Sequence, residues 1–258
     1  MGLIGRIVSE LFSEGQATRR GGKDARAYAI GDIHGRLDLL RTLLAKIEGD
    51  RAGRKAKTTY LIFLGDLIDR GPDSKGVLDL LKSGLPADMK PVFLLGNHEE
   101  ILLRVLAGEE DVMWNWLKFG GAECLASYGL DPASLNHVDG PAALRRIGSA
   151  IPAAHRQFLQ TFADTFRFGD YLFVHAGIRP GVAVEDQQRQ DLRWIREPFL
   201  GDRSDHGRFI VHGHTIATEV EEFGCRIGID TGAYRTGVLT AIGVEDEERW
   251  YLSTRDLE

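Results

Sequence analysis

The sequence predicts an α/β fold, built on a largely parallel sheet, with a helical insertion and a second set of strands after it. Three apolar segments have the composition of buried strands, and a glycine follows each: Arg26–Ile30, Thr58–Leu64 and Pro91–Leu95. Apolar residues at helical spacing follow the first two, from Leu37 to Ile47 and from Val77 to Leu81. A strand–loop–helix order that repeats predicts right-handed βαβ units around a parallel sheet. Active sites of such sheets lie outside the carboxyl ends of the strands.

A helical insertion is predicted from about residue 101 to about residue 160. Its apolar anchors are assigned to the core rather than to substrate: Trp114, Trp116, Phe119, Leu125 and Tyr128. The close spacing of the later strands predicts antiparallel pairing in a second sheet, over Tyr171–Val174, Arg208–Val211, Cys225–Ile229, Gly237–Ile242 and Trp250–Leu252. The chain is therefore interpreted as a flexible or short-helix segment over residues 1–24 and one domain over residues 25–258.

The composition excludes several classes of partner. A formal net charge of −6 argues against broad nucleic-acid binding, which requires a basic face to neutralise phosphates. The sequence contains no apolar run of the roughly 20 residues that a membrane span requires. The two cysteines, Cys124 and Cys225, lack any zinc-type spacing. They favour a reducing compartment, and we expect a cytoplasmic protein.

Five short blocks combine polar side chains with turn glycines: Gly31–Gly35, Gly65–Gly71, Gly96–Glu99, Val174–Gly177 and His212–Thr215. They contain six candidate metal ligands, which are Asp32, His34, Asp66, Asn97, His175 and His214. Side chains two residues apart in an extended segment point the same way, so Asp32 and His34 can reach one ion. The carboxylate of Asp66 can bridge two cations. A lone Gly-Asp turn or histidine is more often structural, but the five blocks together indicate a two-metal hydrolytic centre.

The donor set also indicates the kind of ion. Mixed nitrogen and oxygen donors suit Mn²⁺, Fe or Zn²⁺ better than Mg²⁺ or Ca²⁺, which prefer oxygen ligands. We therefore expect two divalent ions, with Mn²⁺ favoured. Two cations lower the pKa of a shared water, so the expected nucleophile is a metal-bridging water or hydroxide. Consistent with this expectation, neither a GxSxG elbow nor a Walker A block occurs in the sequence.

Four further residues are candidates for catalysis. His98 directly follows Asn97, and a histidine beside the ions can protonate the leaving oxygen as a general acid. Asp69 is the candidate carboxylate that orients His98. Arg70 and Arg196 can grip phosphate oxygens in bidentate fashion. The remaining histidines are interpreted as surface residues: His137, His155 and His206.

With these blocks, the chain resembles the phosphoprotein-phosphatase branch of the calcineurin-like metallophosphoesterases. The resemblance spans Gly31 to about Thr240 and is strongest to bacterial and phage-type members, which include serine/threonine phosphatases and symmetrical dinucleoside tetraphosphatases. It implies a sandwich of two mixed β-sheets flanked by helices. It further implies a first metal on Asp32, His34 and Asp66, and a second on Asp66, Asn97, His175 and His214. His98 with Asp69 resembles the acid pair of that family, and Arg70 resembles its phosphate clamp.

Late blocks and departures refine this resemblance. Trp194–Glu197 is similar to a Trp-x-Arg-Glu segment of phage-type enzymes, which implies that Arg196 lies at the phosphate. Many members have arginine where this chain has Leu95, so one phosphate contact is missing or supplied elsewhere. His212 is a candidate substrate contact or a residue behind the ligands, whereas Asp230 is interpreted as structural or as a residue behind the ligands. Asn97 is a further candidate for substrate contact.

The leading hypothesis is a metal-dependent phosphomonoesterase that dephosphorylates phosphoproteins, with His98 as general acid. Phosphoserine or phosphothreonine is the default substrate, and phosphotyrosine stays open. Hydrolysis of symmetrical dinucleoside polyphosphates is the alternative within enzymes, because the shape of the pocket selects the substrate. The substrate of such a phosphomonoesterase could equally be a phosphorylated small molecule. A non-catalytic phosphate-binding or docking module is the alternative from another class, and it predicts no metal-stimulated turnover.

Overall fold

Two five-stranded mixed sheets organise the computed structural model, which describes residues 19–55 and 57–255. In chain order the strands are β1 (Ala25–Ile30), β2 (Thr58–Phe63), β3 (Met89–Phe93), β4 (Thr165–Phe168), β5 (Tyr171–Val174), β6 (Phe209–His212), β7 (Glu221–Phe223), β8 (Arg226–Gly228), β9 (Thr240–Glu245) and β10 (Glu248–Ser253). The predicted α/β class, with two mixed sheets and helices, is confirmed. The interpretation of the N-terminal segment falls largely outside the described residues.

The helices connect and cover these strands. They are α1 (Leu37–Ala52), α2 (Ser74–Ser83), α3 (Asn97–Leu106), α4 (Glu110–Trp116), α5 (Ala122–Ser127), α6 (Gly140–Ala150), α7 (Ala153–Leu159), α8 (Arg189–Trp194) and α9 (Ala233–Thr236). A kinked turn at Leu117–Gly121, with non-helical backbone at Phe119 and Gly120, joins α4 to α5. The segment predicted as a helical insertion thus contains α4 to α7. No helix in the described part of the chain is long and apolar enough to cross a membrane.

The first sheet has the strand order β10-β9-β1-β2-β3. Strands β1, β2 and β3 are parallel, with α1 and α2 as crossovers, so the predicted βαβ units are confirmed. Every residue of β1 is buried, as a central strand covered on both faces requires. Its alternate residues serve different faces: Tyr28 and Ile30 pack with the helices, while Ala27 and Ala29 face the second sheet.

The second sheet has the order β4-β5-β6-β8-β7, and here part of the sequence interpretation is wrong. The late strands do not form one antiparallel sheet. Strands β9 and β10 belong to the first sheet, where β9 pairs antiparallel with β1. Strands β5, β6 and β8 are parallel to one another. Their connections cross over through α8 or through β7 rather than turning back directly, and a spacing rule for hairpins cannot detect this.

Two short edge strands and two side chains also differ from the predictions. Strands β4 and β7 were missed because they are short, partly exposed and interrupted by charges, so they show no clear alternation. Phe119, predicted as core, is 67% exposed. His155, predicted at the surface, is buried, and its two ring nitrogens contact Tyr128 and Asp79 at 2.7 and 2.9 Å. Both errors concern the insertion, where packing between short helices decides exposure.

The placement of β9 in the first sheet, packed against the second, can be tested by measuring the free energy of unfolding. We expect Ile242→Ala to lower the free energy of unfolding by about 2–5 kcal/mol, because its side chain is fully buried between the sheets. Urea denaturation at a constant metal concentration measures this loss. The matched control is Ile216→Ala, at a position that is 37% exposed, where we expect a change within roughly 0.5 kcal/mol. Equal losses for the two variants would contradict the placement of β9.

Candidate active site

The candidate residues meet where the carboxyl ends of both sheets converge. Three of the predicted ligands follow β1, β2 and β3 of the first sheet: Asp32, Asp66 and Asn97. His175 directly follows β5, and His214 follows β6, both in the second sheet. The first sheet therefore contributes oxygen donors, together with His34, and the second contributes imidazoles. The site is formed by the contact between the two sheets, and neither sheet alone holds all the candidate ligands.

The backbone of the site is strained. Five of its non-glycine residues have φ between 45° and 71°, in the left-handed region: His34, Asp66, Asp69, Arg70 and His214. Each such conformation costs about 1–3 kcal/mol and persists only where the surroundings enforce it. Residues of this kind cluster at functional sites. The strain is therefore an indication of function that is independent of the sequence blocks.

Glu99 holds the strained loop after β2 in place. Its buried carboxylate accepts hydrogen bonds from the backbone N–H groups of Asp66 and Leu67, both at 2.8 Å, and of Ile68 at 3.3 Å. It also accepts the N–H of Gly96 at 3.1 Å, as the third residue of a helix does in a capping box. The sequence interpretation assigned Glu99 no role, although its place three residues after Gly96 was a usable signal.

Asp66 lies between two groups of histidines. Its Oδ1 is 3.5 Å from Nε2 of His175, and its Oδ2 is 3.6 Å from Nε2 of His34 and 3.9 Å from Nε2 of His98. Two triplets share this carboxylate, Asp66–His175–His214 and His34–Asp66–His98, and the donor atoms in each lie within 4.8 Å of one another. Burial alone would raise the pKa of Asp66. Positive charge around it, first at His175, holds the pKa of Asp66 well below its usual range, and where the rings are neutral a bound cation would supply that charge.

Two of the histidines turn an unprotonated Nε2 toward Asp66. Nδ1 of His34 is 2.8 Å from the carbonyl oxygen of Ile68, and Nδ1 of His175 is 2.9 Å from that of Leu64. A carbonyl only accepts hydrogen bonds, so Nδ1 carries the hydrogen and Nε2 of the neutral ring does not. Burial lowers the pKa of His34 to about 3 and also lowers that of His175, which keeps both rings neutral.

The remaining donors fit a divalent cation. Nε2 of His175 is 2.9 Å from the amide oxygen of Asn97, and Nδ1 of His214 is 3.0 Å from the same oxygen. The lone pair of His175 and the oxygen of Asn97 are both acceptors, so they repel each other unless a cation lies between them. Within the described residues, Nε2 of His214 is buried without a hydrogen-bond partner. This donor set is the kind that Mn²⁺, Fe or Zn²⁺ takes.

Asp32 supplies further negative charge. Both of its carboxylate oxygens accept the backbone N–H of His214, at 3.2 and 3.0 Å. Burial raises the pKa of Asp32, and the negative charges of Asp230 and Asp66 raise it further. Burial also raises the pKa of Asp230, to about 6. Such a group of buried carboxylates is unfavourable by itself, and bound cations would offset the repulsion.

His98 and Asp69 form the predicted pair. Nδ1 of His98 donates to Oδ2 of Asp69 at 2.6 Å, and both side chains are buried. Burial by itself would lower the pKa of His98. The negative charge of Asp66 and the hydrogen bond to Asp69 outweigh burial and raise it. The imidazolium form is therefore favoured, with Nε2 as the nitrogen that is not bonded to Asp69.

The two arginines lie at the site in different ways. Nη1 of Arg70 is 3.0 Å from Nε2 of His34, and its guanidinium carbon is 4.9 Å from the ring centroid of Tyr234. Tyr234, missed by the sequence interpretation, thus supports Arg70 by a cation–π contact. Arg196 is exposed. Burial lowers the pKa of His214 to about 3, and the positive charges of His175 and Arg196 lower it further.

His212 and Leu95 do not contact the cluster. The His212 side chain is 1% exposed, its ring centroid is 5.1 Å from that of Phe199, and its Nδ1 is 3.0 Å from the carbonyl of Gly213. Of its two interpretations, the geometry favours a residue packed behind the ligands over a substrate contact. Leu95 is apolar and buried, so its side chain offers no phosphate contact.

With this fold and site, the chain belongs to the calcineurin-like phosphoesterase family, whose family model matches residues 25–235. The resemblance inferred from the sequence blocks is therefore confirmed. The family uses divalent metals, and the two histidine–aspartate triplets are groups that can hold them.

The relatives carry two different activities in their names. The chain is 28% identical to serine/threonine-protein phosphatase 1 of Salmonella typhimurium, over 84% of this chain and 91% of that protein. It is 30% identical to a symmetrical bis(5'-nucleosyl)-tetraphosphatase of Legionella pneumophila, over 86% of this chain and 95% of that protein. A crystal structure of a protein provisionally named a diadenosine tetraphosphatase superposes with a TM-score of 0.63 at 20% identity, covering 92% of this chain and 98% of that chain. The last likeness shows the fold alone.

The shared position of Asp66 predicts the result of its substitution. We expect Asp66→Asn to weaken both metal positions by more than the roughly 10–100-fold that loss of a hydrogen-bonding partner of a ligand costs. The reason is that both triplets lose the same charged oxygen pair. Elemental analysis after dialysis and calorimetric titration with Mn²⁺ measure the change. Asp88→Asn, at an exposed carboxylate that pairs with Arg51, is the control. Two fully occupied metals in Asp66→Asn would refute the shared ligand.

Proposed function

We propose that the protein is a dinuclear metal-dependent phosphomonoesterase that dephosphorylates phosphoserine or phosphothreonine in proteins. The observation that carries the proposal is the buried pair of His98 and Asp69, whose atoms Nδ1 and Oδ2 are 2.6 Å apart. This pair lies beside the carboxylate that both histidine triplets share. The arrangement provides a general acid next to a cation site, which is what hydrolysis of a phosphate ester needs.

In this proposal each side chain has a separate task. Asp32, His34 and Asp66 hold one divalent ion, and Asp66, Asn97, His175 and His214 hold the other. When bound, the ions supply neutralisation of phosphate charge and activation of water. Arg70 and Arg196 bind the remaining phosphate oxygens as charged donors. His98 holds a proton at Nε2 and donates it to the leaving oxygen, while Asp69 keeps the ring oriented through Nδ1.

The acid pair favours an ester over an anhydride. The alkoxide that leaves from phosphoserine or phosphothreonine is a strong base, so its departure benefits greatly from a proton. A phosphate group that leaves from a polyphosphate is stable as an anion and needs a proton much less. A well-oriented general acid is therefore most useful for a phosphomonoester of an alcohol.

A second candidate is hydrolysis of symmetrical dinucleoside tetraphosphates. The likeness to the Legionella tetraphosphatase, at 30% identity over 95% of its length, favours it. An exposed aromatic side chain is also available near the arginine clamp. Phe119 is 67% exposed, and its neighbour Gly120 accepts the backbone N–H of Arg70 at 3.1 Å. An aromatic ring in such a place can stack on a base.

A phosphate-docking module without catalysis is supported less well. Binding of phosphate alone requires cations or N–H donors, whereas this site also has a buried acid pair and a strained backbone. We further propose a cytoplasmic protein without a nucleic-acid partner. The net charge of −6 and the two buried free cysteines, Cys124 and Cys225, support this part of the proposal.

The acid role of His98 leads to a prediction about turnover. We expect His98→Asn to lower kcat on a phosphoserine peptide by roughly 10²–10⁴-fold, the usual contribution of a general acid. The metal content, measured by elemental analysis, should stay near that of the parent protein, because the six proposed ligands are intact. His206→Asn, at a histidine paired with Asp202 outside the cluster, is the control. Full activity of His98→Asn would remove His98 from the mechanism.

The substrate class can be tested by a direct comparison. Mn²⁺-supplemented turnover is measured at equal enzyme concentration on phosphoserine, phosphothreonine and phosphotyrosine peptides and on diadenosine tetraphosphate. We expect the highest kcat/KM on the phosphoserine or phosphothreonine peptides. A preference for the dinucleotide would replace the leading proposal by the second candidate. No metal-stimulated turnover on any of them would favour the docking module.

A further inference from the structure

The indole of Trp116 contacts the acid pair from the helical insertion. Trp116 is the last residue of α4, and its side chain is only 2% exposed. Its Nε1–H donates to Oδ2 of Asp69 at 2.8 Å. The same oxygen accepts the Nδ1–H of His98 at 2.6 Å. A residue that the sequence assigned to the core therefore has a directed polar contact with the proposed catalytic machinery.

The turn after Trp116 is shaped to make this contact. A Cβ on Gly121 would overlap the indole ring, so only glycine lets the ring lie against the backbone there. Gly120 has φ of 116°, and a Cβ on it would lie 2.6 Å from the backbone nitrogen of Arg70. Its carbonyl accepts that same N–H at 3.1 Å. The kinked turn between α4 and α5 thus lies against both Asp69 and Arg70.

Asp69 needs this support because little else orients its carboxylate. The residue is fully buried, with φ of 71°, and its backbone N–H donates to Oγ of Ser74 at 2.9 Å. Its Oδ1 has no hydrogen-bond partner within the described residues. Both side-chain donors, the indole and the imidazole, converge on Oδ2. Without the indole, this carboxylate would be oriented by the imidazole of His98 and by the thiol of the buried Cys124, which is only a weak donor.

We propose that Trp116 is a positioning residue for general acid catalysis: its N–H fixes the Asp69 carboxylate, which in turn aims Nε2 of His98 at the leaving oxygen. The inference rests on the acid role proposed for His98. An indole N–H is a donor only, so it neither accepts the transferred proton nor competes for it. The helical insertion is then part of the catalytic apparatus and does more than cover the site.

A packing role and a positioning role make different predictions for Trp116→Phe. Phenylalanine keeps an aromatic ring in the core but lacks the N–H. Loss of packing alone affects every substrate alike. Loss of acid positioning affects substrates according to how much their leaving group needs a proton. A series of aryl phosphates with graded leaving-group basicity therefore separates the two roles.

The experiment compares kcat for phenyl phosphate, 4-nitrophenyl phosphate and 2,4-dinitrophenyl phosphate at saturating Mn²⁺. For Trp116→Phe we expect a loss of roughly 10–100-fold on phenyl phosphate, comparable to loss of other residues that orient a functional group. We expect little change on the dinitrophenyl ester, whose leaving group departs without a proton. Trp114→Phe is the matched control, because Trp114 is a half-buried tryptophan two residues earlier in α4.

His98→Asn in the same series separates failure of this inference from failure of the proposed function. If His98→Asn shows no dependence on the leaving group, the proposed acid role is wrong, and Trp116 has nothing to position. If His98→Asn shows the dependence and Trp116→Phe loses activity equally on all esters, or loses none, the inference about Trp116 alone is overturned.

A second measurement, the NMR signal of the Trp116 indole N–H, tests the hydrogen bond to Asp69 directly. It requires neither an activity assay nor a Trp116 variant that folds. In the ¹⁵N-labelled protein, the indole N–H signal of Trp116, bonded to a carboxylate, should lie downfield of that of Trp114 and move upfield in Asp69→Asn. Phenylalanine substitutions at Trp114, Trp194 and Trp250 each assign one of the four indole signals by its disappearance, and the remaining signal is that of Trp116. A Trp116 indole signal that is unaffected by Asp69→Asn would overturn the inference even if Trp116→Phe does not fold.

Discussion

The carboxylate of Asp66 must stay ionised and buried between two groups of histidines, and much of the site's architecture serves this requirement. Glu99 accepts three consecutive N–H groups from the loop that carries Asp66. Asp66 itself has a left-handed φ, and its side chain belongs to both histidine triplets. A buried carboxylate is costly unless it is paired or coordinates metal. The imidazoles of His34 and His175 offer lone pairs rather than protons at Nε2, so a bound cation would compensate the charge of Asp66.

The two-sheet arrangement explains how such a site is assembled. Parallel strands β1, β2 and β3 place oxygen donors at one edge, and β5 and β6 place imidazoles at the facing edge. The alanines of β1 that face the second sheet leave room for the side chains of that sheet, which include Phe173 and Val211. Because this interior is apolar and close-packed, it can enforce the strained backbone at the strand ends.

The acid pair depends on a third part of the molecule. Asp69 lies in the same loop as Asp66, yet its carboxylate is held by an indole from the insertion as well as by His98. The backbone N–H of Arg70 donates a hydrogen bond to Gly120 of that insertion, and its guanidinium makes a cation–π contact with Tyr234. The proposed acid catalysis thus depends on a helix outside the two sheets.

The sequence by itself determined the donor types, the strands that carry them and the acid pair, because these are local features. A candidate ligand such as Asp32 or Asp66 follows a buried strand and a glycine, and that pattern is visible within a few residues of sequence. Tertiary structure alone decided that β9 pairs with β1, that His212 packs behind the ligands, that Phe119 is exposed and that Trp116 reaches Asp69. These contacts join residues far apart in the chain. They depend on how sheets and short helices pack, and no local periodicity records which partner a buried side chain will meet.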